Sequence, residues 1–213
     1  MPVLDAVLIS HMHFDHLSLG SIEDIERKIR WMGVPRGGLV YLTNFRFAAE
    51  EVHWWDSRML PGGLKMTSVP VKHNGMRYVL DRSWRTGVGY TAWVAEYNGL
   101  TVYYGGDSAW DERVYRSTAE RFPEIDLALL PIAPIHPREF MRTMHLDPEE
   151  ALDAFELLGA KWMMPIHFET FINSTDEPDE PRRVLREAIK RRGIGVGRVI
   201  ELGIGEQKVV MGR

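Results

Sequence analysis

Three histidines and one aspartate fall within six residues, at His11, His13, Asp15 and His16, spaced H-x-H-x-D-H directly after the apolar run of residues 4–9. That run has the length of a buried strand and is far too short to span a membrane. A strand ending in such a loop delivers several nitrogen and oxygen donors to one point. Neutral imidazole and carboxylate are the donors that a borderline divalent ion such as Zn²⁺ selects. His11 and His13 lie two apart, so an extended or turning backbone projects both toward one ion, while Asp15 and His16 continue around the turn and can face a second. The competing reading is a solvated polar loop, but ligand spacing of this kind seldom arises by chance.

Composition narrows the class of protein. The 213 residues, 45% of them hydrophobic, suit one domain with a substantial core, and a single domain over 1–213 is expected. The absence of cysteine excludes disulfides, zinc–thiolate sites and cysteine nucleophiles. A net charge of −4 argues against a nucleic-acid footprint spread over the whole surface. No signal peptide is visible, because the chain enters a strand almost at once, and a cytoplasmic location is expected.

Elements alternate along the chain, which favours an α/β fold (α+β in some schemes). Ser21 can cap a helix running to about Met32, with Glu23 and Asp24 in its first turn. Residues 35–38 break it, residues 39–42 read as a short strand and residues 46–52 as helical. Residues 65–72 alternate as a strand running into His73. Residues 88–97 and 100–104 form a hairpin turned at Asn98-Gly99. A helix over 111–121, a buried strand over 126–130 and a proline-rich loop over 131–137 follow. Asp147-Pro148 opens another helix, with aspartate as cap and proline at the first position. Residues 161–166 form a strand ending at His167, residues 181–192 a last helix, and 198–201 with 207–211 a closing hairpin.

Three further candidate ligands sit at strand ends, where α/β folds place their sites: His73, Asp107 after Gly105-Gly106, and His167. Each alone reads more simply as a hydrogen-bonded histidine or a turn aspartate. With the first loop they make seven ligands, enough for two ions.

The set His11, His13, Asp15, His16, His73, Asp107 and His167, in that order, resembles the metallo-β-lactamase superfamily of dinuclear hydrolases. The resemblance implies a four-layer αβ/βα sandwich. It also implies that His11, His13 and His73 hold one ion, that Asp15, His16 and His167 hold the other, and that Asp107 bridges them. Aspartate rather than cysteine at the bridge points away from antibiotic-hydrolysing members. The stretches His145-Leu146-Asp147-Pro148-Glu149-Glu150-Ala151 and Pro165-Ile166-His167-Phe168-Glu169-Thr170-Phe171 resemble the branch containing N-acyl-phosphatidylethanolamine phospholipase D, which His73…Arg77…Asp81…Trp84 matches loosely. Two departures lie beside ligands: Asn74 replaces a usual aromatic and Glu169 a usual glycine. The superfamily carries several strands ahead of its histidine motif where only about ten residues stand here. The amino-terminal strands are therefore expected to be missing, which would leave an open sheet edge and face prone to association, including homo-oligomers.

Two ions sharing a water lower its pKa to about 7, giving a metal-bound hydroxide that attacks phosphorus or a carbonyl carbon. Asp15 and Asp107 are the expected catalytic carboxylates. His145 is the candidate proton donor or oxyanion stabiliser, or else only positions the helix after it. His136 reads as structural or surface, and His53 as sitting on a helix surface. Zn²⁺ suits the donor set best, with Mn²⁺ or Fe²⁺ tolerated. Trp54, Trp55 and Trp84 either line an apolar groove near the metals or pack in the core. The basic residues of 182–192 either meet anionic headgroups at a membrane surface or form a solvated face. The expected function is a dinuclear phosphodiesterase acting on small or lipid-like phosphodiesters. Alternatives are a lactonase of the ascorbate-6-phosphate lactonase type, and a catalytically inactive metal-stabilised fragment or interaction module.

Overall fold

A computed structural model describes residues 1–78, 89–172 and 174–210. Asp81, Trp84, the expected strand start at Val88 and the hairpin end at Met211 lie outside the described residues. Two sheets face each other. The first is parallel, in the order β1 (Val7–Leu8), β2 (Trp31–Pro35), β3 (Ala48–Val52). The second has the order β4 (Ser57–Met59), β5 (Lys65–Val69), β6 (Ala92–Tyr97), β7 (Leu100–Tyr104), β8 (Leu127–Pro131), β9 (Trp162–Ile166). It is antiparallel from β4 to β7 and parallel from β7 to β9.

Three apolar cores separate the layers. Ile9, Met12, Leu17, Met32 and Val34 pack with Ile22 of α1 (Leu19–Ile25) on the outer face of the small sheet. Trp31, Val52, Leu60, Met66 and Trp93 fill the space between the sheets. The largest core lies under the far face of the six-stranded sheet. There Val94, Tyr103, Ala128 and Met163 meet Tyr115 of α2 (Glu112–Arg121), Leu152 and Phe155 of α4 (Pro148–Leu158), and Leu185 and Ala188 of α5 (Glu180–Arg192). A short α3 (Arg138–Met141) precedes α4. Helix, sheet, sheet, helix is the αβ/βα order.

Local signals produce several of these elements. Asn98 and Gly99 adopt φ 49° and 70°, the left-handed pair that a two-residue hairpin needs. Asp147 accepts from the Glu150 amide at 2.9 Å and Pro148 opens α4, while Asp111 accepts from the Arg113 amide at 3.1 Å to start α2.

Four expectations are corrected. The cap of the first helix is Ser18, not Ser21, and that helix ends before Trp31–Pro35, whose five residues are all buried as β2. Leu39–Tyr41 forms a 3₁₀ turn, not a strand. Ala48–Val52 is a strand paired in parallel with β2, not a helix, so exposed His53 follows a strand. No closing hairpin forms among the described residues; instead Val199 bridges Met163 in parallel at the β9 edge.

The basic face of α5 is met by carboxylates from other elements. Arg182 grips Glu169 through two bonds of 2.7 Å. Arg186 reaches Glu201 at 3.0 Å, and Arg192 reaches Glu149 and Asp153 at 2.7 and 2.6 Å. Among the described residues, no helix is long and apolar enough to cross a membrane.

Candidate metal centre

The loop after β1 is anchored where the two sheets meet. Ser10 O accepts from the Thr91 amide at 2.8 Å, His11 bridges Tyr90, and the indole of Trp93 donates to Ile9 O at 3.1 Å. Gly106 brings the other side of the site within reach. Its φ is +56°, and a Cβ there would lie 2.5 Å from Ser10 Cβ, so only glycine lets the turn carrying Asp107 close against the histidine loop.

Asp107 is the hub. Its carboxylate is buried, and five imidazole nitrogens approach it: His167 at 3.2 Å, His16 at 3.4 Å, His145 at 3.7 Å, and His11 and His73 at 3.8 Å. Asp15 lies 3.4 Å from His16 and 3.5 Å from His167. His11, His13, His73 and Asp107 form one group whose donor atoms lie within 4.8 Å of one another, and Asp15, His16 and His167 form another. All seven sequence-derived ligands are therefore brought together. His145 joins Asp107 and His167 in a third such group, its ring stacked on His167 at 5.9 Å.

The outward nitrogens fix the tautomers. His73 Nδ1 faces Met144 O at 2.8 Å and His167 Nδ1 faces Ala133 O at 2.9 Å. A carbonyl only accepts, so both Nδ1 atoms carry the proton and both Nε2 lone pairs point inward. His13 Nε2 lies 2.9 Å from Asn74 Oδ1, which turns His13 Nδ1 toward His11 Nε2, 2.8 Å away. Ser10 Oγ lies 3.0 Å from His11 Nδ1.

The donor set fits divalent cations. His16 Nε2, His73 Nε2, His145 Nδ1, His167 Nε2 and Asp107 Oδ1 are buried without a hydrogen-bond partner. Buried polar atoms are normally paired; converging on one point, the four on His16, His73, His167 and Asp107 are suited to coordinating metal, and the His145 nitrogen to meeting a bound group beside it.

Electrostatics divide the histidines. Burial, reinforced by neighbouring imidazoles, holds His11 well below its ordinary pKa. Burial also takes His73 down to about 3, against the pull of Asp107, and His145 down to about 4. Burial opposes protonation of His16 too, but its contacts with Asp107 and Asp15 outweigh this and raise it to about 9. His167 is likewise raised by Asp15 and Asp107 against burial. Asp15 is held far below the carboxylate range by His16 and His167. For Asp107, burial is outweighed by the contact with His16 and the charges around it, and its pKa is also lowered.

Three supports escaped the sequence reading. The carbonyls of Ala133 and Met144 have no signature in the residue type. Arg77, noted only as part of a loose match, is buried and donates to Met12 O at 3.0 Å and Leu17 O at 2.7 Å, clamping both ends of the histidine loop. His136 bonds Glu180 at 3.1 Å, away from the site. Trp54 donates to Tyr90 O, and Trp55 packs against the largest core. The cavity touching the ligands is instead walled by Phe168, Phe171, Ile172, Pro178 and Pro181.

Comparison with known proteins agrees with this geometry. Residues 1–168 match the family described as "Beta-lactamase superfamily domain". The chain is 28% identical over 205 residues to N-acyl-phosphatidylethanolamine-hydrolyzing phospholipase D 1 of Caenorhabditis elegans, covering 90% of this chain and 56% of that protein. It is 31% identical over 173 residues to a UPF0173 metal-dependent hydrolase of Exiguobacterium sp., covering 78% of this chain and 69% of that one. The chain spans about half the length of the phospholipase D relatives it matches. Among solved structures, Igni18, a metallo hydrolase of Ignicoccus hospitalis, superposes with a TM-score of 0.67 at 23% identity, over 94% of this chain and 76% of that one.

Proposed function

The chain belongs to the beta-lactamase superfamily, and from that premise we propose that it is a dinuclear metal-dependent hydrolase of phosphodiesters. The observation that carries this reading is the convergence of five imidazoles on the buried carboxylate of Asp107. His11, His13 and His73 would hold one ion, Asp15, His16 and His167 the other, and Asp107 both. A nitrogen and oxygen donor set without sulfur favours Zn²⁺ and accommodates Mn²⁺ or Fe²⁺. Such ions supply Lewis acidity and a water activated at neutral pH.

The chain's own groups do the rest. Asp15 and Asp107 are held as anions and supply the charge that keeps two cations close together. Asp15, partly exposed where Asp107 is buried, is the carboxylate placed to orient an incoming nucleophile. His145 is neutral at pH 7, because burial depresses it to about 4. It therefore serves the developing oxyanion as a neutral hydrogen-bond donor rather than acting as a general acid. The similarity to a named phospholipase D supports a phosphorus centre over a carbonyl carbon.

The test pairs metal analysis with turnover. Expected are two metals per chain and cleavage of bis-p-nitrophenyl phosphate in preference to sugar lactones. Asp107→Ala should stay folded and lose activity by on the order of 100-fold or more. Lactone cleavage alone would reassign the reaction, and a metal-binding chain inactive on both substrates would make the centre structural.

A further inference from the structure

We propose that the cavity beside His16 and His167 binds an apolar arm of the substrate that carries no negative charge, an alkyl or aryl group of about seven heavy atoms. The proposal rests on the hydrolase reading only for the identity of the bond that reacts. The cavity has a volume of about 220 Å³, and Asp15, His16 and His167 are among its lining residues, so a group seated in it can reach the metal centre. An apolar cavity of roughly 150 Å³ takes a benzene-sized group, so this space suits an arm slightly larger than that, of about seven heavy atoms.

Most of its accessible wall is apolar, although Thr170, Ser174 and three carboxylates besides Asp15 also line it. Phe168, Pro178 and Pro181 line it, and Phe171 and Ile172 stand 64% and 99% exposed at its edge. Aromatic and aliphatic side chains held in solvent beside a reactive centre gain by burying apolar surface.

The charge pattern selects against an anionic arm. No lysine or arginine lines the cavity among the described residues. Glu169 is neutralised by the two-bond grip of Arg182, and Asp176 is occupied by the amides of Ile135 and His136, each at 2.7 Å. Glu177 also lines the cavity, and no cation pairs with its carboxylate among the described residues. A second anionic group on the substrate would meet Glu177 without any compensating charge.

Two series test this on the zinc-loaded protein. The first measures hydrolysis of p-nitrophenyl methyl, butyl, hexyl and decyl phosphates. The second measures binding of the matching alkylphosphonates by calorimetry. Both kcat/KM and affinity should rise about two- to fourfold per methylene up to about six carbons and then level off. Phe171→Ala, at an exposed position, should flatten that rise. A terminal carboxylate on the arm should cancel the gain, and Glu177→Gln should restore part of it. Equal rates and affinities for methyl and hexyl arms would overturn the proposal. Chain-length-dependent binding without turnover would support the arm site while overturning the phosphodiesterase reading.

Discussion

Asn74 joins two candidate ligands, His13 and His73, that the sequence keeps 60 residues apart. Its carbonyl oxygen takes the His13 Nε2 proton at 2.9 Å, and its amide nitrogen reaches Met144 Sδ at 2.9 Å. Met144 in turn accepts from His73, so one side chain ties together the outward faces of two imidazoles. Asn74→Leu removes the acceptor and frees His13 to present its other tautomer. Metal affinity should fall about 10- to 100-fold, the usual cost of losing an orienting partner. Asn74→Asp keeps the acceptor and should bind at least as tightly as the parent. Chelator competition measures both, and the ¹⁵N shifts of the His13 ring report the tautomer. At this scale the sequence was legible wherever chemistry demands a particular residue type, as at His11, Asp107 and His167. It was silent wherever a backbone carbonyl does the work, as at Ala133 and Met144, because every residue type has one.

Between elements, Arg77 performs the corresponding task. Its guanidinium holds Met12 O and Leu17 O and lies 4.3 Å from the Phe14 ring, so the loop after β1 is locked to the segment that follows His73. A lysine keeps the charge but neither the planar fork nor the stacking. Arg77→Lys should therefore cost about 2–3 kcal/mol in denaturant unfolding and speed metal loss, since buried carbonyls lose a charged donor. An unchanged unfolding midpoint would show that the clamp contributes nothing. Legibility at this scale followed the range of the interactions. β5, the β6–β7 hairpin, α2, α4 and β9 were readable because alternation, Asn98-Gly99 and the aspartate caps are local signals. β2 and β3 were misread because a parallel strand takes its partner from a distant segment, as Trp31 does from Ala48, and the fully buried run of β2 mimics a helix. The expected hairpin after residue 198 failed for a related reason, since Val199 finds its partner in Met163 and not in its own neighbours.

The whole molecule stores its metal-binding capacity as opposing proton equilibria, and that sets its response to pH. In the metal-free protein His16 titrates at about 9, above the unfolded value near 6.5. The stability it contributes is complete below pH 6.5 and is lost as pH rises toward 9. His73 and His145, at about 3 and 4, lie below the unfolded value. Their share is complete above pH 6.5 and is lost as pH falls, because the unfolded chain then takes up protons that the folded one refuses. The two trends place the optimum of the metal-free chain, as far as these groups decide it, near pH 6.5. Metal binding reverses the alkaline limb. A coordinated His16 must be deprotonated, so each displaced proton makes affinity rise by up to about tenfold per pH unit below 9. The gain in melting temperature on adding zinc should therefore be larger at pH 8.5 than at pH 6.5, with proton release detected by calorimetry in buffers of different ionisation enthalpy. An equal gain at both pH values would mean that His16 enters the metal site already unprotonated, and that the ion pair with Asp107 does not set its charge.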